Sequence, residues 1–113
     1  MMNTLIFSDL EAIVYNWLTK HSIEFSFQSS MMGGRYELGG AIADFRLDEL
    51  YIILRVQGDY FHTQINKQAT DSVQRELLEA QGWTVVDIFG SDLETLEEVN
   101  STLEKALLGE EVL

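Results

Sequence analysis

One stretch of seven residues, Tyr51-Ile-Ile-Leu-Arg-Val-Gln57, narrows the choice of folds more than any other part of the chain. It is apolar on both faces for most of its length, which is typical of a strand in the middle of a sheet. A second apolar run, residues 41 to 47, precedes it and is separated from it by three residues only. The two runs therefore predict an antiparallel hairpin with a short turn.

The segments before this hairpin predict a helix, a strand and a loop. Ser8 is followed three residues later by Glu11, which is the spacing of a capping box, and apolar residues then recur at helical intervals over residues 9 to 20. Residues 23 to 27 alternate between apolar and polar side chains, as a half-buried strand does. A glycine-rich loop or hairpin is expected from 29 to 40.

The segments after the hairpin predict a helix, a strand and a last helix. Helical periodicity from about 66 to 81 places Val73, Leu77 and Leu78 inward, and Gly82 suits the position after the helix end. Residues 83 to 89 read as a buried strand. Ser91, with Glu94 three residues later, resembles the N-cap of a final helix that ends near 108. The element order is α-β-β-β-α-β-α, which predicts an α/β domain with a mixed central sheet flanked by helices.

Composition limits the class of protein. A chain of 113 residues with 46% hydrophobic residues fits one domain, spanning 1 to 113, with its own core. No apolar run approaches the length of a membrane helix, and no secretory signal is visible, so a cytoplasmic protein is expected. The absence of cysteine excludes disulfides and thiolate chemistry.

The net charge of −12 opposes tight non-specific binding to nucleic acid, because phosphate contacts need Lys and Arg. The charge is uneven, however. Residues 91 to 113 carry seven acids and one base, whereas residues 30 to 75 carry six acids and five bases. Any phosphate contact is therefore expected in the middle of the chain.

Polar residues interrupt the apolar hairpin, and three of them are candidates for a common site. Asp44 lies between apolar neighbours at the end of a strand, where a carboxylate is costly unless something binds it. Arg55 and Gln57 are two residues apart and so share one face of their strand. If that face meets Asp44, the three side chains converge. Carboxylates are the ligands that Mg²⁺ prefers, and a divalent metal promotes phosphodiester hydrolysis.

The element order and three segments resemble the PD-(D/E)XK nuclease superfamily, most closely its small very-short-patch-repair-like endonucleases. The segments are residues 43 to 45 (Ala-Asp-Phe), 53 to 62 (Ile-Leu-Arg-Val-Gln-Gly-Asp-Tyr-Phe-His) and 77 to 86. The resemblance covers roughly residues 9 to 93. It implies a restriction-endonuclease-like fold and a metal-dependent DNA endonuclease of a phage or bacterial type, directed to a DNA structure or a mismatch. Mg²⁺ or Mn²⁺ would be the cofactor.

The resemblance also implies roles for particular residues. Asp44 and the backbone carbonyl of Val56 would bind the metal. Gln57, at the usual lysine position, would orient a water, and its alternative is a structural hydrogen bond. Arg55 stands where the family usually has an acid: it either clamps the scissile phosphate or forms a buried ion pair with Asp44 that ends catalysis. Two further residues complete the set, namely His62 for proton transfer and Glu11 as a metal ligand through water.

Phosphate contacts are expected outside the hairpin as well. Glycine amides and an arginine suit anions, so Gly33, Gly34 and Arg35 are candidates, although two glycines also simply make turns. Lys67 and Arg75 are candidates on the second helix, where the alternative is a solvated helix face. For His62 the alternative is packing at a strand end.

Two other functions fit the same chain. One is an inactive protein of the same fold that binds a protein or DNA, with its acidic surface facing a basic partner. The other is an acidic protein that mimics DNA, which the net charge alone suggests. A domain of this size has little surface with which to hold a duplex, so a homodimer or a larger protein partner is expected for an endonuclease.

Overall fold

The computed structural model describes residues 9–28, 36–38, 41–57 and 65–108. The elements in chain order are helix α1 (Asp9–Lys20), strands β1 (Ser26–Phe27), β2 (Tyr36–Leu38), β3 (Ala41–Ala43), β4 (Phe45–Leu47) and β5 (Ile52–Gln57), helix α2 (Ile65–Ala80), strand β6 (Thr84–Phe89), a 3₁₀ turn (Gly90–Asp92) and helix α3 (Leu96–Leu107). None of the helices in these ranges has the length and hydrophobicity to cross a membrane.

Four strands form a mixed sheet in the order β1-β4-β5-β6. The β1–β4 and β4–β5 pairs are antiparallel, and the β5–β6 pair is parallel. All six residues of β5 are buried, which confirms the prediction of a central strand. Strands β2 and β3 pair with each other as a separate two-stranded sheet. The mixed α/β architecture predicted from the element order is confirmed.

The two faces of the sheet are covered differently. Helices α1 and α3 pack on one face and form the large core with it, where Leu54, Val56 and Val86 are buried among their apolar side chains. The core on the other face is small: Ile53 and Val85 pack against Leu78 of α2. Since side chains alternate along a strand, Arg55 shares its face with Ile53, and Asp87 shares its face with Val85. Arg55, Gln57 and Asp87 therefore lie on the α2 face.

The apolar run from 41 to 47 is two strands, and Asp44 separates them. Strand β3 pairs with β2, whereas β4 pairs with β1 and β5. At the break, the Asp44 carbonyl accepts a hydrogen bond of 3.0 Å from the Gln28 amide. The Asp44 carboxylate accepts one of 2.9 Å from the Val56 amide. A side chain thus takes the place that a neighbouring strand would occupy beside the end of β5.

The last helix begins later than its sequence pattern predicts. Residues Gly90–Asp92 form a 3₁₀ turn, in which the Asp92 carboxylate accepts a hydrogen bond of 3.1 Å from the Phe89 amide. The helix N-cap is Thr95, whose hydroxyl and amide exchange hydrogen bonds with Glu98 in a capping box. The prediction of Ser91 as N-cap was wrong, because two Ser/Thr-x-x-Glu sequences follow each other and the first one lies in the turn.

Helix α2 has nearly the predicted ends but presents another face to the sheet. Leu78 is fully buried, whereas Val73 is 57% and Leu77 is 40% exposed. The prediction that all three face inward was wrong. Arg75 lies one turn before Leu78 and points at the sheet with it, since residues three apart share a helix face. Gly82 follows the helix with φ of +98°, as expected of a residue after a helix end.

Candidate functional site

Asp44 is fully buried beside the end of strand β5. One of its carboxylate oxygens holds the Val56 amide at 2.9 Å. The N–H and C=O groups of one strand residue project from the same edge of the strand, so the Val56 carbonyl also lies on the Asp44 side. The described β4–β5 ladder ends at the Phe45–Leu54 pair. The predicted combination of the Asp44 carboxylate with the Val56 carbonyl is therefore compatible with this geometry.

The side chains of Arg55 and Gln57 converge on a residue that the sequence analysis did not name, Asp87 of β6. Arg55 binds both carboxylate oxygens, through Nε to Oδ1 at 2.7 Å and through Nη2 to Oδ2 at 3.1 Å. Gln57 donates from Nε2 to Oδ1 at 3.0 Å. The parallel register of β5 and β6 explains this contact, because it places Arg55 opposite Asp87. The sequence suggested Asp44 as the ion-pair partner of Arg55. The structure shows an ion pair between Arg55 and Asp87.

Helix α2 contributes a second arginine to the same carboxylate. Arg75 Nη2 lies 3.2 Å from Asp87 Oδ2 and 2.9 Å from the carbonyl oxygen of Val85. This guanidinium is therefore bound to the sheet, and the alternative of a solvated helix face is wrong for Arg75. Its predicted contact with a DNA phosphate stays a prediction.

The cluster of Arg55, Gln57, Arg75 and Asp87 carries a formal charge of +1, since two guanidiniums share one carboxylate. The Arg55 side chain is only 2% exposed, and that of Asp87 is 15% exposed. A buried charge is tolerated when it is paired and hydrogen-bonded, and Asp87 supplies both conditions for Arg55. The residual positive charge suits an anion at the end of the sheet.

The structure describes only some of the other predicted site residues. Glu11 is buried on α1, and its role as a water-mediated metal ligand stays a prediction. Lys67 belongs to α2, but its side chain falls outside the described residues. The remaining candidates lie wholly outside them, and their roles stay predictions: Gly33, Gly34, Arg35 and His62.

The donors present fit a lightly coordinated Mg²⁺ or Mn²⁺. In the described ranges, no group of three or more His, Cys, Asp or Glu side chains could enclose a metal ion. Mg²⁺ commonly uses one or two carboxylates and keeps several waters, with phosphate oxygens of the substrate as further ligands. One buried carboxylate and one carbonyl, from Asp44 and Val56, fit this mode.

Asp87 is the residue of the cluster that sequence reasoning missed. It interrupts the apolar strand Thr-Val-Val-Asp-Ile-Phe, just as Asp44 interrupts an earlier apolar run. The argument that a carboxylate among buried neighbours needs a partner applies to both residues. Applied to β6, the same signal would have identified Asp87.

Comparison with known proteins identifies the fold but not a family. No family model matches the sequence, and no curated protein matches it. Among solved structures, the chain is similar to the catalytic domain of the homing endonuclease I-Bth0305I, with a TM-score of 0.68 and 18% sequence identity. The match covers 89% of this chain and 95% of that one. At this identity the similarity concerns the fold alone.

Proposed function

We propose that this chain is a metal-dependent DNA endonuclease that hydrolyses phosphodiester bonds and recognises a DNA structure or a mismatch. The observation that carries the proposal is the position of Asp44, a buried carboxylate fixed to the Val56 amide at the strand end that also bears Arg55 and Gln57. The structural similarity to a homing endonuclease catalytic domain supports the same reading. The protein would hold the DNA through its phosphate backbone. It would do so as a homodimer or together with a larger protein partner.

Asp44 and the Val56 carbonyl would hold Mg²⁺ or Mn²⁺, and Glu11 would reach it through a water. When bound, the metal polarises the phosphate and lowers the pKa of a water. A guanidinium close to a cation site normally opposes metal binding. Here Asp87 offsets that charge, because it binds Arg55 through both carboxylate oxygens.

Arg55 would clamp the scissile phosphate. Asp87 fixes the plane of the guanidinium through Nε and Nη2, and so would orient it toward the phosphate. Further phosphate contacts are assigned to Arg35 and the amides of Gly33 and Gly34, and to Lys67 and Arg75 on α2. Arg75 would contact DNA beside its bond to the Val85 carbonyl.

Gln57 would position the attacking water. Its Nε2 donates to Asp87, so Oε1 points in the opposite direction and can accept a hydrogen bond from water. A glutamine amide neither gains nor loses a proton near neutral pH, and it therefore orients the water without deprotonating it. Proton transfer is assigned to His62, because imidazole titrates in the physiological range.

The test is cleavage of supercoiled, branched and mismatched DNA with Mg²⁺ or Mn²⁺, combined with metal titration in a calorimeter. We expect metal-dependent cleavage that Asp44→Asn abolishes, together with the loss of metal binding. Asp9→Asn is the matched control, because Asp9 is an exposed aspartate at the start of α1. A wild-type protein that neither cuts DNA nor binds metal would refute the proposal.

A further inference from the structure

Arg46 lies beside the candidate site and has no part in the roles proposed above. It is two residues along the chain from Asp44, a spacing of about 6.6 Å in an extended chain. It stands opposite Ile53, whose side chain packs on α2, so Arg46 shares the face that bears Arg55. On an antiparallel pair such diagonal neighbours are about 7–8 Å apart. Arg46 therefore extends the positive charge from the site along the sheet.

The basic side chains of the described residues are segregated between the two faces of the sheet. Arg46, Arg55 and Arg75 lie on the α2 face. Lys20 and Lys105 lie on α1 and α3, which cover the opposite face. Four exposed acids lie there, Glu94, Glu97, Glu98 and Glu104, whereas the described part of α2 carries two, Glu76 and Glu79. An anionic polymer would accordingly approach the α2 face.

Asp48 orients the guanidinium of Arg46, and a phosphate can displace Asp48 from it. Arg46 Nε lies 2.9 Å from Asp48 Oδ1, and the side chains are 28% and 60% exposed. Nη2 lies 3.4 Å from both Asp48 Oδ2 and the Ser26 hydroxyl. An ion pair that is open to water contributes little stability, so an incoming phosphate competes with Asp48 on favourable terms.

A cleft lined by acidic side chains lies next to the residues that bond to Arg46. This surface cleft of about 610 Å³ is lined in part by Ser26 and Asp48, the two side chains to which Arg46 bonds. Two more acids, Glu24 and Glu49, also line it. A DNA backbone that continued past Arg46 into this cleft would meet like charge. Arg46 is thus placed at one end of the path that the backbone takes.

From these observations we infer that Arg46 binds the DNA phosphate next to the scissile one, and that Asp48 occupies the guanidinium until DNA displaces it. The inference rests on the proposed function, because the scissile phosphate is placed by Asp44 and Arg55. Asp48 accordingly weakens DNA binding in the wild-type protein, and Arg46 strengthens it.

Binding of a fluorescein-labelled DNA duplex, measured by anisotropy in EDTA at several salt concentrations, tests the inference. Arg46→Gln should weaken binding and reduce the slope of log K against log salt by about 0.9, the value for one phosphate contact. Arg46→Lys keeps the charge and should keep the slope. Asp48→Asn should bind more tightly, and the gain should vanish in the Arg46→Gln background. Lys105→Gln, an equal charge change at an exposed position on α3, is the control.

The outcomes separate this inference from the endonuclease proposal. If the wild type cuts DNA and Arg46→Gln matches Lys105→Gln in affinity and slope, the Arg46 contact is refuted alone. The Arg46 contact is also refuted if Asp48→Asn raises the DNA affinity equally in the wild-type and the Arg46→Gln backgrounds. If Arg46→Gln lowers the DNA affinity and the salt slope but the wild type does not cut DNA, the Arg46 contact is supported and the endonuclease proposal is refuted. A wild type that does not bind DNA refutes the contact. Thermal unfolding of each variant verifies the fold.

Discussion

At the scale of single residues, Asp87 determines how the polar end of the sheet is held together. Its carboxylate receives hydrogen bonds from Arg55 and Gln57 on β5 and from Arg75 on α2. Three side chains from two elements are thus ordered by one acid. Because Arg55 is almost fully buried, its orientation depends on Asp87 more than on solvent.

Asp87→Asn should therefore destabilise the protein strongly. The change leaves the buried Arg55 guanidinium without its carboxylate, and breaking a buried pair commonly costs about 3 kcal/mol or more. Asp48→Asn makes the same chemical change in an exposed pair, where about 0–1 kcal/mol is expected. Urea denaturation of both variants measures the difference. Equal losses of unfolding free energy would show that Asp87 does not have this structural role.

Gln57→His should raise the proposed nuclease activity. The substitution brings an imidazole to the position from which Gln57 Nε2 reaches Asp87 at 3.0 Å. A neutral imidazole that donates to Asp87 through one nitrogen can accept a proton from water through the other. Activity should then rise with pH through the range around pKa 6.5 where imidazole loses its proton. Initial rates of plasmid cleavage between pH 5 and 8 measure the change, and an unaltered pH profile would argue against it.

The sequence shows which polar residues interrupt the apolar strands, but it does not show what those residues bind. Asp44, Arg55 and Gln57 were identified because each places a polar group in an apolar strand, which is a local property. The partner of Arg55 depends on the parallel register of β5 and β6, which joins residues 32 positions apart. Nothing local to Arg55 specifies that register.

At the scale of elements, α2 is held by polar contacts as much as by apolar packing. Leu78 contributes its buried side chain, and Arg75, one turn earlier, bonds to Asp87 and to the Val85 carbonyl. Helical periodicity predicts the ends of α2 within about one residue. It does not predict the inward face, because Val73 and Leu77 form an equally regular apolar stripe that is partly exposed in the fold.

Arg75→Met should weaken the attachment of α2 to the sheet. The methionine keeps part of the apolar stem but loses two hydrogen bonds of a charged donor, for which about 1.5–3 kcal/mol is expected. Glu79→Gln, at an exposed position of the same helix, is the control. Chemical denaturation measures the stability, and amide hydrogen exchange along β6 should accelerate in Arg75→Met only. Unchanged exchange in β6 would mean that Leu78 alone attaches the helix.

At the scale of the whole molecule, the break at Asp44 is the feature that sequence patterns conceal. The mainly apolar run from 41 to 47 predicts one strand, yet β3 and β4 belong to different sheets. The element order could be predicted because each element has its own periodicity. The strand order β1-β4-β5-β6 depends on contacts between distant elements, which periodicity does not encode.

The distribution of charge over the whole molecule leads to the last prediction. Replacing three exposed acids of the α3 region, Glu94, Glu97 and Glu104, by glutamine changes the net charge from −12 to −9. Because these acids lie on the layer opposite the arginines, they act on DNA through the long-range field, which salt screens beyond about 10 Å at 0.1 M. The triple variant should therefore associate with DNA faster at low salt, with a gain that disappears near 0.5 M, and its cleavage products should be unchanged. Stopped-flow anisotropy across this salt range measures the rate. A gain that persists at high salt would instead indicate that the acids contact DNA directly.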